Sequence, residues 1–437
     1  MSERLIRGRV LSFNRAPQAA DDYGCCDYHE DGAVLVSDGL IVASGDHDAV
    51  AAKAGPGVIV DDHRPSLVLP GLIDTHIHYP QMQVIGSWGA KLLDWLNTYT
   101  FVEEQKFVDE AHAERIAGRF FDELVRAGTT TAVTYCSVHR ASAEAYFNEA
   151  MRRGLRMIGG KVMMDRNAPE ALRDTPQSGY DDTKALIAEW HGQGRCLYAI
   201  TPRFAITSSP EQLEMSGALV AEHPDCYMQT HLSENDAEIA FARELYPDAP
   251  DYTGIYERYG LLGRKSLFGH SIHLSERERS VMAESGSIAV FCPTSNLFLG
   301  SGLFDMDGLS AAGVRSAVAT DVGGGTSLSM LKTLDEAYKV LQLRGQKLAP
   351  LKSFYLMTRG NAEALELEDR IGTLAPGSEA DIAVLDSRAT PAMRLRMETA
   401  TTLSEELFIL QTMGDDRAVA ETYVAGAPAK STIDPAG

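Results

Sequence analysis

Residues 70–81 read PGLIDTHIHYPQ, and the way this stretch is read decides the fold. Two histidines, His76 and His78, flank Ile77 in a chain that holds only 12 histidines. Both follow apolar runs, Leu67-Val68-Leu69 and Leu72-Ile73, separated by Pro70-Gly71. If the part after Gly71 is a strand, alternate residues point the same way, so His76 and His78 share one face and Ile77 takes the other. Two imidazoles one strand step apart suit one metal ion. They equally suit a hydrogen-bonded pair at a strand end, and the rest of the chain has to choose.

Outward from this stretch, short apolar runs alternate with longer amphipathic ones from about residue 71 to 372. Eight strand candidates appear: 72–78, 130–136, 156–164, 196–204, 226–234, 266–273, 287–295 and 316–324. Helical stretches lie between them, such as EAHAERIAGRFFDELVRAG over 110–128, with Gly128 as its stop. Eight strands, most followed by a helix, predict an α/β fold, a (β/α)8 TIM-like barrel. The chain ends differ. Residues 32–46, GAVLVSDGLIVASGD, read as a hairpin, and 380–386 and 420–428 are again strand-like. The expectation is a small β domain built from residues 1–70 and 373–437 around a barrel of 71–372.

Polar residues fall at matching places on the strand candidates. His76 and His78 end the first, His231 ends the fifth in MQTHLSEN, His270 lies in the sixth in FGHSIH, and Asp321 ends the eighth in VATDVGGG. Strand C-termini of a barrel meet on one face, where active sites are built. Three histidines and one carboxylate suit a single zinc or ferrous ion with one position left for water. With His76, His78, His231 and Asp321 as its ligands, His270 is expected beside the ion, steadying the attacked group. Glu234, three residues after His231, is a candidate proton shuttle, against the plainer reading of a helix-start carboxylate. A second ion needs a bridging lysine at the end of the fourth strand, and CLYAITPRFAI holds none; Lys161 lies within the third candidate. His139, His191, His223 and His273 fall outside the expected layer and read as structural.

Bulk properties exclude other classes. The net charge is −21, with no basic cluster, which speaks against nucleic-acid binding. No run approaches the ~20 apolar residues of a membrane span. The N-terminal MSERLIRGRVLSFNRAP lacks the apolar core of a signal peptide. None of the six cysteines forms a CxxC pair, and a reducing cytoplasm is the simplest address. A nucleic-acid deaminase with its H-x-E and P-C-x-x-C signature is excluded on the same grounds.

PGLIDTHIH, HLSEN, GHSIH and ATDVGGG, in that order, resemble the amidohydrolase superfamily. Residues 78–107 (HYPQMQVIGSWGAKLLDWLNTYTFVEEQKF), 160–169, 199–213 (AITPRFAITSSPEQL), 291–304 (FCPTSNLFLGSGLF) and 335–348 are similar to its guanine deaminases, which hydrolyse guanine to xanthine and ammonia. The resemblance spans nearly the whole chain. It implies zinc on His76, His78, His231 and Asp321, Glu234 as shuttle, and His270 and Asp321 at the tetrahedral centre. It also implies that Gln81 and Arg203 hydrogen-bond the purine, that Phe204 packs beside it, and that the protein is a homodimer. Guanine suits such groups: an amide donates and accepts, a guanidinium meets the exocyclic oxygen, and an aromatic ring walls the plane. Without the resemblance, Arg203 reads as an ion pair, Phe204 as core and Gln81 as a solvated amide. Trp88 and Trp95 are candidates for a lid or wall. Another heterocycle (a pterin, a triazine or an 8-oxopurine) remains open as substrate, as does a barrel that only binds.

Overall fold

Period-two burial over Leu72–His78 is lost because both faces of this strand are covered, as a parallel strand inside a barrel requires. The computed structural model describes residues 3–89 and 91–434. Its strands in chain order are β1 (Arg4–Phe13), β2 (Cys26–Ser37), β3 (Leu40–Asp46), β4 (Ile59–Pro70), β5 (Leu72–His78), β6 (Thr129–Tyr135), β7 (Arg156–Gly160), β8 (Val162–Met163), β9 (Leu197–Pro202), β10 (Tyr227–Leu232), β11 (Ser266–His270), β12 (Ile288–Phe291), β13 (Arg315–Val318), β14 (Ile382–Leu385), β15 (Val419–Val424) and β16 (Ala427–Pro428).

Strands β5, β6, β7, β9, β10, β11, β12 and β13 pair in parallel in that order, and β8 pairs beside β9. The first and last strands close on each other. Thr75 Oγ1 donates to Val318 O at 3.1 Å, Asp321 N to His76 O at 2.9 Å, and His78 N to Val322 O at 2.6 Å. The expected (β/α)8 barrel is therefore present. Its first strand matches the expected 72–78, while the last two candidates run too long. Residues 287–295 are strand only to Phe291, because Pro293 opens a helix over Pro293–Phe298. Residues 316–324 are strand only to Val318, and Asp321 stands three residues past its end.

Gly71 has a steric reason. A Cβ there would lie 2.0 Å from Thr130 Oγ1, so only glycine lets β5 enter beside β6. After β5 the chain makes an excursion of short helical turns, Tyr79–Val84, Leu92–Trp95 and Phe101–Glu104 among them, before the long helix Glu110–Arg126. Asp109 caps that helix by accepting from Ala111 N and His112 N, and its Ile116, Phe120 and Leu124 are buried.

The second sheet joins both chain ends in the order β16-β15-β14-β4-β1-β2-β3. Residues Leu67–Pro70 pair antiparallel with Ile382–Leu385, so the run that leads into the histidine strand is fixed by the far end of the chain. The expected hairpin is β2–β3, with Asp38 and Gly39 both at positive φ in its two-residue turn. Two helices between β14 and β15, Pro391–Met397 and Leu403–Met413, were not anticipated. The second packs on the barrel helix Met330–Leu343, where the Tyr338 and Phe408 rings meet at 5.1 Å. No helix among the described residues is long and apolar enough to cross a membrane.

Candidate metal centre and pocket

The strand ends converge as expected. His78 Nε2 lies 3.3 Å from His76 Nε2, 3.2 Å from His231 Nε2 and 3.5 Å from Asp321 Oδ1. His76 Nε2 is 3.3 Å from the same Asp321 oxygen. His76, His231, His270 and Asp321 each offer one ligand-type atom, all within 4.8 Å of one another. Gly269 makes room for this cluster: a Cβ there would lie 2.6 Å from His76 Cε1.

The protonation pattern suits a cation. Burial holds the His76, His78 and His231 imidazoles below their ordinary range. Neutral imidazole keeps one lone pair, and for His231 the tautomer is fixed: Nδ1–H donates to Arg203 O at 2.7 Å, so Nε2 presents its lone pair to the cluster. Burial alone would raise Asp321, but the neighbouring His76 and His270 outweigh it and keep the carboxyl far below its usual range. Neutral nitrogen donors around a carboxylate form a fitting donor set for a divalent metal.

His270 differs from the other three histidines. Its Nδ1 meets Asn296 Oδ1 at 2.9 Å, while Nε2 faces Glu234 Oε2 at 3.4 Å and Asp321 Oδ2 at 3.6 Å. Burial would lower it, yet Glu234 and Asp321 prevail and raise it, which favours the protonated ring. Glu234 is buried and raised by burial, and Ser301 Oγ donates to its Oε1 at 2.7 Å. Ser233, His270, Ser271 and Asp321 all take positive φ, so non-glycine strain gathers at these strand ends.

Several contributors escaped the sequence reading. Asp74, on the same face of β5 as His76, accepts from His76 N at 3.2 Å, Thr320 N at 3.1 Å and Thr320 Oγ1. It ties the two ligand-bearing strand ends together, and burial pushes its carboxyl up to about 7. The same period of two that paired the histidines also pointed to it. The Tyr135 ring stacks on His78 at 4.4 Å and lies 4.7 Å from His76. Asn296 and Ser301 both sit in the stretch 291–304.

Above the cluster lies a pocket lined by His78, Gln81, Leu92, Trp95, Leu96, Arg203, Phe204, His231, Glu234, His270, Ser295, Leu299, Asp321 and Gly324. Gln81, Arg203 and Phe204 thus face the same space as the histidines. Gln81 Nε2 donates to Glu104 Oε1 at 2.9 Å, and its Oε1 accepts from Gly323 N at 3.1 Å. Arg203 Nη1 donates to Glu104 Oε2 at 2.7 Å. Nothing in the spacing of the sequence singled out Glu104. Trp95 is a buried wall residue, whereas Trp88 is 80% exposed. His139, His191, His223 and His273 lie outside both the cluster and the pocket lining. Lys161 is used elsewhere, in a buried pair with Asp174 at 2.6 Å.

The profile of the amidohydrolase family matches residues 67–428. The guanine deaminase of Escherichia coli is 44% identical over 97% of both chains. Its solved structure superposes with a TM-score of 0.95 over 98% of this chain and 99% of that one. A probable guanine deaminase of Deinococcus radiodurans is 40% identical over 97% of this chain and 98% of its own. A solved guanine deaminase from C. acetobutylicum with bound guanine in the active site is 28% identical, with a TM-score of 0.87 over 98% of this chain and 100% of that chain. The chain belongs to the amidohydrolase family, on the branch of the guanine deaminases.

Proposed function

We propose that this protein hydrolyses guanine to xanthine and ammonia with one metal ion held by His76, His78, His231 and Asp321. The observation that carries the reading is that His78, His231 and Asp321, with His76 directly behind them, share one pocket with an amide, a guanidinium and an aromatic ring suited to a purine. The 44% identity to a guanine deaminase over nearly the full length supports the same substrate.

A divalent metal on these residues supplies a Lewis acid and acidifies a bound water. The chain does the rest. Arg203 donates to the exocyclic oxygen of the ring, Gln81 donates and accepts along its edge, and Phe204 stacks or abuts the plane. Glu234 takes a proton from the attacking water and delivers it to ring nitrogen 3. Its burial raises its basicity, which suits a group that must take up a proton and give it back. His270, held by Asn296 at Nδ1 and facing Glu234 and Asp321 through Nε2, donates from Nε2–H to the oxygen that forms on carbon 2. Asp321 and His270 steady the tetrahedral carbon. The hydroxyl now on carbon 2 gives its remaining proton, by way of the neighbouring carboxylates Asp321 and Glu234, to the amino group; the carbon–oxygen bond becomes a carbonyl, the carbon–nitrogen bond breaks, and ammonia leaves.

Zinc is the proposed ion, since three imidazoles and a carboxylate suit it, although ferrous iron meets the same donors. The division of the chain near residues 70 and 372 belongs to this reading and is supported by the pairing of β4 with β14. A homodimer in the cytoplasm is proposed as well. The family resemblance supports the dimer, which sedimentation measures. Six free, buried cysteines suit a reducing compartment, which fractionation of cells tests.

The test is ammonia release by the purified, metal-analysed protein from guanine beside adenine, cytosine, a pterin and a triazine. Release from guanine alone, lost on chelation and restored by zinc, is expected. Release from another ring but not from guanine would overturn the roles of Gln81, Arg203 and Phe204.

A further inference from the structure

Glu104 stands behind the pocket wall, in the excursion between β5 and β6, with its side chain 2% exposed. Its carboxylate is divided between the two polar side chains that face the purine. Oε1 accepts from Gln81 Nε2 at 2.9 Å and Oε2 from Arg203 Nη1 at 2.7 Å. The segment is tied to the barrel, because Glu104 O accepts from Ser137 Oγ at 3.0 Å just after β6. Phe101, in the same helical turn, holds the Arg203 guanidinium 5.4 Å above its ring. One carboxylate therefore sets the direction of both Gln81 and Arg203, which arrive from different strand ends.

The same contact has a charge consequence. A guanidinium 3% exposed in a pocket wall attracts anions strongly unless a counter-charge sits beside it. Glu104 supplies that counter-charge, so the purine end of the pocket carries no net charge. Guanine is a neutral ring. Its hydrolysis replaces the amino-substituted carbon by a carbonyl and adds an N–H at ring nitrogen 3, so the product's ring N–H groups beside that carbonyl are stronger acids. A neutral recognition end favours the substrate over the ionised product.

We propose that Glu104 is a positioning residue that aims Gln81 and Arg203 at the ring and cancels the guanidinium charge, so that the pocket holds neutral guanine and lets the more acidic xanthine go. This rests on the guanine reading above.

The experiment compares steady-state kinetics of the zinc-loaded full chain and two variants, with xanthine as inhibitor at a pH where it is partly ionised. Glu104→Gln keeps shape and loses charge. Its guanine KM is expected to rise several-fold, with kcat within about threefold, while xanthine inhibition tightens by about tenfold. Glu104→Asp keeps charge and loses reach. Its guanine KM is expected to rise and xanthine inhibition to weaken by a similar factor, because the charge is kept while both rings lose the same aim. Bound zinc should match the parent protein in both. Xanthine inhibition that weakens in step with guanine binding, or stays unchanged, in Glu104→Gln would overturn the charge role. An unchanged guanine KM in both variants would overturn the positioning role. If Glu104→Gln does not fold, Glu104→Asp decides, and tighter xanthine inhibition there counts against the proposal. Turnover of guanine by the parent protein reads the first claim separately. Calorimetric binding of xanthine to parent and variants reads this one without any turnover.

Discussion

The two ends of one pocket are built in opposite ways. At the histidine end, each group sits at or just past the end of a barrel strand, and the groups meet because parallel strands share an exit face. At the purine end, Gln81 and Glu104 come from an irregular excursion, and Arg203 follows β9. Glu104 pairs with Gln81 across 23 residues and with Arg203 across 99. The barrel thus dictates where the reaction occurs, whereas a single buried carboxylate dictates how the ring is gripped. Changes at the first end should act on metal and turnover, and changes at the second on substrate affinity.

Replacement of Glu234 by Gln gives the sharpest separation. We expect kcat to fall by about 10²–10⁴ with bound metal unchanged, measured by turnover and elemental analysis of the same sample. Near-normal turnover would remove Glu234 from the proton path. Asp74→Asn acts one step further out, on the brace between His76 and Thr320. Metal affinity is expected to weaken by about 10–100-fold, read by competition with a chelator. Arg203→Lys belongs to the other end. It keeps a charge and loses the planar fork, so guanine KM should rise by about tenfold with zinc content constant. Loss of zinc in this variant would show that the two ends are not separable.

Two smaller effects refine the contrast. Ser301 donates to Glu234 and so opposes the upward push of burial on that carboxyl. Ser301→Ala removes this opposition, the folded-state pKa of Glu234 rises, and the carboxylate form needed as base is lost at higher pH. The acidic limb of the kcat/KM profile should move to higher pH. A downward shift would contradict the assignment. Trp88 lies 80% exposed, away from the wall formed by Trp95. Trp88→Ala should change stability by no more than about 0.5 kcal/mol and leave guanine KM unchanged, checked by thermal melting and kinetics.

The histidine end was legible because strand geometry is local. A period of two in LIDTHIH put His76 and His78 on one face, and the recurrence of apolar run then polar residue marked His231, His270 and Asp321. The same rule overran at the last strands, where Pro293 starts a helix just past Phe291 and the final strand already stops at Val318. Glu104 was not legible. A glutamate beside a second glutamate in VEEQKF reads as a solvated face, and only the folded excursion turns one of the two inward. Asn296 and Ser301 were hidden for a similar reason, since their partners, His270 and Glu234, lie on other barrel units.

By itself the sequence determined the barrel, its two-ended sheet and the residues that gather at the strand ends, because these follow from periodicity and from the shared polarity of parallel strands. Which side chain braces which was decided only by the tertiary structure. A carboxylate such as Glu104 or Asp74 takes its role from the partners that burial forces upon it, and those partners lie far away along the chain.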